Sequence, residues 1–195
     1  MTALALPDVR LRTTWAATLA EFAAAVPGAG YPHGSGVHPG RPPALDGDGC
    51  AAFVAEARCH ADPAAALPDG RVHCTYFWVL DAEPQPWEAE DPMVGFVAVR
   101  HRLNDFLLEL GGHIGYSVRP SRRGRGHAGR VLGLALAHAR GLGLDRALLT
   151  CDVDNEASRR TIERAGGVRE DTRQDKHRYW VDLGPAPGRE PHPVR

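Results

Sequence analysis

Lysine, paired cysteines and long apolar runs are all scarce in this sequence, and each scarcity removes a class of protein. Lys176 is the only lysine among 23 basic residues. The formal net charge is −1, so no global field recruits nucleic acid or an anionic membrane. Cys50, Cys59, Cys74 and Cys151 form no CxxC pair, which excludes the usual zinc spacings and makes a disulfide framework unexpected at this length. They read as buried or incidental thiols. The longest apolar stretch, Val131 to Leu144, is broken by His138 and Arg140 and does not span a bilayer. "MTALALPDVR" lacks the basic region and long apolar core of a signal peptide. A cytoplasmic protein with no membrane partner is expected.

What remains is ordinary for one globular domain: 195 residues, 43% hydrophobic and 24% charged, long enough to bury a substantial core. Apolar periodicity predicts helices over Thr13–Val26, Asp46–Ala61 and His127–Arg140, and a further one from Asn155, an N-cap, to the Gly166–Gly167 stop. Strands are predicted over His73–Asp81, Met93–His101, His113–Pro120, Arg146–Asp154 and His177–Leu183. "LNDFLLELGG" permits a short helical turn. Pro27–Pro43 is a long connection rich in proline and glycine, either mobile or functional. Residues 184–195 read as a disordered tail. The expectation is a single α/β domain over 1–183, with a central mixed, mostly antiparallel sheet flanked by helices.

One stretch carries chemistry. "VRPSRRGRGHAGR", Val118 to Arg130, sets five arginines among three glycines between a strand and a helix. The first turn of that helix has unpaired N–H groups and the positive end of the dipole, and Gly124, Gly126 and Gly129 let a ligand approach the backbone. Together these describe a phosphate cradle. No Gly-Lys-Ser/Thr follows, so it is not a P-loop. The glycines match GxGxxG, and Asp152 and Asp154 lie on the next strand, but the preceding strands read as an antiparallel series rather than a dinucleotide fold. An RNA-binding arm would interleave aromatic residues for stacking, and none lies between Val118 and Arg130.

Arg123-Gly124-Arg125-Gly126-His127-Ala128 resembles the Arg/Gln-x-x-Gly-x-Gly/Ala signature of the GNAT superfamily of acyl-CoA-dependent N-acetyltransferases. "HIGYSVRP" is similar to the strand that leads into that signature, and "DNEASRRTIERAGGV" to the later helix that ends at a glycine pair. The resemblance runs closely from Met93 to Leu183. It extends, through "VRHRLNDFLLELGGHIGYSVRPS" and "RYWV", to a branch of bacterial predicted acetyltransferases. It implies a sheet splayed at the acyl-CoA site, acetyl-CoA as cosubstrate, an amine acceptor, and a monomer or homodimer.

Residue by residue, the resemblance implies that the backbone from Arg123 through Gly124, Arg125, Gly126, His127 and Ala128 to Gly129 holds the pyrophosphate. The strand ending at Val118 aligns the thioester, Asn155 touches the pantetheine arm and Ser158 supports it. The other arginines, Arg119, Arg122, Arg125 and Arg130, are solvated or reach the 3′-phosphate. Such enzymes often carry a tyrosine acid two turns after the helix-starting Asn; here Ile162 stands there. Glu109, His113 and Tyr179 are the substitutes proposed for proton transfer, with Asp152 near the adjacent strand end. No metal is expected: His33, His38, His60 and His73 have no ligand-like spacing and read as incidental, exposed side chains, as do His101 and His113 in a metal role. Two readings besides catalysis stay open, a CoA-binding sensor without turnover and an Arg-Gly nucleic-acid binder.

Overall fold

The computed structural model describes residues 1–25, 31–38, 41–81 and 90–185. In chain order the elements are β1 (Thr2–Ala5), α1 (Arg12–Ala25), α2 (Gly47–Ala61), β2 (Cys74–Asp81), β3 (Met93–Arg100), β4 (Ile114–Val118), α3 (His127–Gly141), β5 (Arg146–Asp152), α4 (Glu156–Arg164), β6 (Val168–Arg173) and β7 (Lys176–Asp182). The strands form a four-stranded sheet, β1-β2-β3-β4, and a three-stranded sheet, β5-β7-β6. Every pairing within them is antiparallel. The expected α/β domain with a mostly antiparallel sheet and flanking helices is what the chain forms.

Alternation along β2 divides the core in two. Phe77 and Val79 face α3 and β5, while Trp78 and Leu80 face α1 and α2. On β3 the alternation slips: Val79 lies opposite Gly95 but Leu80 opposite Met93, so Val94 is an inserted residue. This bulge puts Met93 and Phe96 on the α1–α2 side and Val94 and Val97 on the other. On the α1–α2 side Trp15 is fully buried, with ring centroids 6.0 Å from Trp78 and 5.7 Å from Phe53. Burial of each such large side chain stabilises the fold by roughly 1.5–3 kcal/mol.

The predicted helices are present within a residue or two, and Asp46 caps α2 by accepting the Gly49 N–H at 2.8 Å. The ambiguous Leu103–Gly112 segment contains one π-helical turn, Leu107–Gly111. Two strands are not foreseen by periodicity. β1 is four residues long and forms by pairing with the end of β2, Thr2 opposite Asp81. β6, "VREDTR", has no buried residue to mark a period. It returns into β7 through Gln174 and Asp175, both at positive φ (44° and 62°), the backbone of a tight hairpin. The tail expectation falls mostly on residues 186–195, outside the described residues. Its first part is held in place, since the Gly184 N–H bonds the Asp182 carboxylate and Arg140 bonds the Pro185 carbonyl.

Candidate functional site

After Val118 the chain turns through Arg119 and a 3₁₀ turn, Pro120–Arg122, and α3 starts after Gly126. Gly124 and Gly126 both sit at φ 76°, a conformation that costs a residue with a side chain roughly 1–2 kcal/mol. A Cβ on Gly124 or Gly129 would meet no protein atom within 4 Å, so that flank is open to a ligand. Gly126 caps α3 without a side-chain hydrogen bond. The first N–H to meet a carbonyl is that of Arg130, on Gly126 at 3.5 Å. Among the described residues, the amides of His127, Ala128 and Gly129 are therefore left as donors at the positive end of the helix.

A cavity of about 430 Å³ opens on this loop. Val118, Arg123, Gly124, Gly126, His127 and Ala128 line it on one side, and Asn155 and Ser158 line it from the start of α4. Arg125 and Gly129 belong to the loop without lining the cavity. The His127 ring turns inward, its Nδ1 sharing a 2.9 Å bond with the Thr2 hydroxyl, which leaves the backbone amide as its contribution to a ligand. Asn155 caps α4: its Oδ1 accepts the Ser158 N–H at 3.1 Å. That bond uses the oxygen and frees the Nδ2 hydrogens.

The arginines divide in a way the sequence did not indicate. Arg119 is not solvated. It is buried, with Nε 2.5 Å from Glu21 and Nη1 2.8 Å from Asp91. Glu21 also accepts the Ser121 N–H at 2.6 Å, and Asp91 accepts the Thr14 hydroxyl at 2.5 Å. Arg122 bonds the Asp91 carbonyl at 3.0 Å, and Arg123 folds back onto the Val118 carbonyl at 3.1 Å. Arg130 bonds the Arg125 carbonyl at 3.1 Å. The Arg125 guanidinium makes no hydrogen bond or ion pair among the described residues. Arg119 thus braces the base of the loop instead of offering charge to a ligand, while Arg122, tied to Asp91, still lines the cavity.

β4 and β5 meet at one end and then part. The His113 N–H bonds the Leu148 carbonyl at 2.7 Å, and the Leu148 N–H bonds His113 Nδ1 at 2.9 Å. Beyond that point the two strands belong to separate sheets. The parity of β4 follows from its other edge. The Arg100 N–H bonds the His113 carbonyl and the Arg119 N–H bonds the Val94 carbonyl, so odd-numbered residues of β4 address β3. In an antiparallel ladder the even-numbered ones address the other side. The amides of Tyr116 and Val118 therefore point into the gap. Across it the Tyr116 hydroxyl lies 3.1 Å from the Ser158 hydroxyl. Burial holds the Tyr116 phenol above its ordinary pKa, against the hydrogen bonds from Ser158 and Thr161, so it remains a proton donor.

The structure brings none of the three proposed proton carriers to this cavity. Glu109 is paired with Arg173. His113 is buried with its Nδ1 committed to Leu148, and burial, with Arg100 and Arg146, pushes its pKa down to about 4. It is a strut joining the sheets. Tyr179 is 1% exposed in the main core, its hydroxyl 3.4 Å from Glu163. Asp152 is ion-paired with Lys176. Ile162 is fully buried, against the backbone of Gly167, while Thr161 beside it lines the cavity.

Two residues of the site were not singled out by the sequence. Tyr116 enters the sequence reading only through its strand, whose backbone N–H groups near Tyr116 to Val118 the resemblance turns toward the thioester carbonyl; its side chain was given no role. His33, read as incidental, lines the cavity from the 31–38 loop. Gly34 explains its position: at φ 81°, a Cβ there would lie 2.4 Å from the Gly115 carbonyl oxygen and 2.9 Å from the Val97 Cα. The loop backbone thus lies directly on β3 and β4, which sets His33 beside the gap. Burial lowers the His33 pKa, and Lys176 and Arg100 add to this against Asp152. His33 keeps solvent contact on its outer surface, so this desolvation comes from the protein packed close around it, and the shift is screened accordingly. The ring has no hydrogen-bond partner among the described residues. It also lines a second cavity of about 410 Å³. The available signal was a pair of glycines, Gly34 and Gly36, flanking a short stretch of a long loop.

Comparison with known proteins agrees with this geometry. A family model of the acetyltransferase (GNAT) domain matches residues 43–168. A search of curated protein sequences gives no match. Among solved structures, a ribosomal-protein-S5-alanine acetyltransferase from Vibrio fischeri superposes with a TM-score of 0.62 at 16% identity, covering 97% of this chain and 96% of that one. RimJ from Mycobacterium smegmatis, in complex with a CoA disulfide, gives 0.60 at 18% identity over 93% and 81%. The spermidine/spermine N-acetyltransferase SpeG from Vibrio cholerae gives 0.56 at 15% over 94% and 95%. At these identities the structures establish the fold. The family match covers well over half of the sequence and includes the whole glycine loop, and by it the chain belongs to the GNAT acetyltransferase family.

Proposed function

We propose that the protein transfers an acetyl group from acetyl-CoA to a primary amine, with the pyrophosphate held along Arg123–Gly129 and the thioester beside Tyr116–Val118. The observation that carries this reading is a coincidence of donors. The free amides of the glycine loop and the outward amides of β4 open onto one cavity. RimJ, of the same fold, is in complex with a CoA disulfide, which supports the same ligand class here. The loop fits the group, because Gly124, which lines the cavity, leaves open the volume that a side chain would fill.

When bound, acetyl-CoA supplies an activated acyl carbon and a thiol leaving group. The amides of Tyr116 and Val118 stabilise negative charge gathering on the acyl oxygen. Asn155 orients the pantetheine arm with its free Nδ2 hydrogens. His33, neutral because its pKa is lowered, takes the proton that the amine loses as the N–C bond forms. Tyr116 gives its hydroxyl proton to the sulfur as the C–S bond breaks, filling the role left vacant by Ile162. Exchange with solvent returns both groups to their starting states.

Calorimetric titration with acetyl-CoA tests the binding half, with Gly126→Glu as the control. Thiol release on adding amines tests the transfer half. The burial of Ile162 favours one second reading, a CoA-binding regulatory module. Saturable binding of acetyl-CoA with no amine-dependent thiol release would select it.

A further inference from the structure

The second cavity lies on the opposite side of His33 from the glycine loop, and the two share Tyr31, Pro32 and His33. Its charge is one-sided. Arg41, Arg71 and Arg100 line it, against the single carboxylate of Glu56. None of these three arginines has an ion-pair partner among the described residues. Elsewhere in the fold, Arg119, Arg173 and Arg178 each face carboxylates. Arg100 is the most tightly placed of the three. Its Nη1 donates to the Gly111 and Gly112 carbonyls at 3.0 and 3.1 Å, and its guanidinium would lie 3.5 Å from a Cβ on Gly115. It therefore sits at the level of the sheet, under the loop that carries His33, with donors to spare. Tyr76 and Phe53 supply the ring surfaces of the same cavity.

We propose that this cavity binds the acetyl acceptor, and that the acceptor carries an acidic group, a carboxylate or phosphate, on the same molecule as its amine. The amine end meets His33 and the acidic end meets the guanidinium groups. The proposal rests on the acetyl-transfer reading above and adds the substrate class to it. A carboxylate or phosphate matches the planar donors of arginine with charge-assisted hydrogen bonds. A polyamine brings like charge against three arginines that face a single carboxylate, and a neutral amine leaves that excess of positive charge unmatched.

The test uses the full chain saturated with CoA, so that binding is read without turnover. Matched amines are titrated by ligand-observed NMR: β-alanine against β-alaninamide, phosphoethanolamine against ethanolamine, a peptide with acidic side chains against its neutral counterpart, and spermidine. The proposal expects at least one acidic member to bind about tenfold or more tightly than its neutral partner and than spermidine. Arg71→Gln should remove that preference while acetyl-CoA affinity stays as in the parent. Equal or tighter binding of the neutral or polycationic members overturns it, as does failure of every acidic member to bind. If the parent does not bind acetyl-CoA or CoA, the acetyl-transfer reading itself fails, a separate result seen before any amine is added.

Discussion

The two cavities beside β4 are built by different means. The one over the glycine loop is made largely of backbone: amides at a helix start, amides on a strand edge, and glycines that keep side chains out of the way. The one beyond His33 is made of side chains carried by two loops, a helix and two strands. A backbone site needs a fixed local conformation, so it imposes glycines at fixed spacing and can be read as a motif. A side-chain site needs only that suitable groups converge in space, and they converge here from residues as distant as His33, Glu56 and Arg100. On the two proposals above, cosubstrate recognition lies on the legible side, and acceptor choice on the other.

The sharpest way to break this contrast is to give the backbone site a side chain. Gly126→Glu forces a residue with a side chain into positive φ and sets a carboxylate against a polyanion. Acetyl-CoA affinity should fall by about a hundredfold or more, read by calorimetry, with the thermal transition still cooperative. An unchanged affinity would mean that the loop does not hold the ligand. Next in size is Tyr116→Phe. Removing a general acid costs about 10²-fold in kcat, and acetyl-CoA affinity should hold within about twofold, since one hydroxyl contributes little to binding a ligand held mainly by amides. A fall in affinity with kcat intact would make Tyr116 a packing residue.

His33→Gln gives a smaller effect and probes the junction of the two cavities. The His33 pKa lies below its ordinary 6.5, chiefly through burial. As a base it is active in its neutral form, so kcat at saturating amine should decline as pH falls below 6.5 through the depressed value, on top of the rise that titration of the free amine gives kcat/KM. The variant should lose roughly tenfold or more in kcat/KM near neutral pH and lose that acid limb with it. If the limb persists in His33→Gln, the titrating group is elsewhere.

The same contrast explains what the sequence made legible. Helices α1, α2, α3 and α4 and five of the seven strands follow from apolar period and caps, because burial of one face constrains residues at regular spacing. β1 and β6 escaped because their partners make them strands: β1 is four residues on an edge, and β6 is a run of polar residues whose Glu170 and Asp171 pair with Arg178 of β7, which is 2% exposed. The cradle was legible as a glycine pattern. The side chains proposed as proton carriers were not, because nothing local separates His33 from other loop histidines, or Tyr116 from an ordinary core residue of a strand. Glu109, His113 and Tyr179 attract attention by chemical type, and each is used up by a structural partner. Arg119 misled in the opposite direction: an arginine beside an Arg-Gly loop reads as solvated until Glu21 and Asp91, far away in sequence, close on it.

Glu21 is where the two sides touch, and it supports the smallest prediction. It belongs to α1, on the Trp15–Phe53 side of the sheet, yet its carboxylate holds Ser121 and Arg119 at the base of the glycine loop. Burial raises its pKa, but the Ser121 N–H, the Arg119 guanidinium and the Ser121 hydroxyl outweigh this and leave it below the ordinary 4.5. A carboxyl held low in the fold contributes stability that is complete above its unfolded value and is lost as pH falls through the folded one. Glu21→Gln should therefore lower stability by about 1 kcal/mol at neutral pH, the pair being partly screened by solvent. The gap should narrow as pH drops below 4.5, which denaturant titrations across pH 3 to 7 would follow. The same variant tests how separate the two regions are. If acetyl-CoA affinity is unchanged, the cradle is fixed by its own glycines and cap. If affinity falls along with stability, the side-chain half of the molecule sets the geometry of the backbone half, and the division drawn above holds only for recognition, not for support.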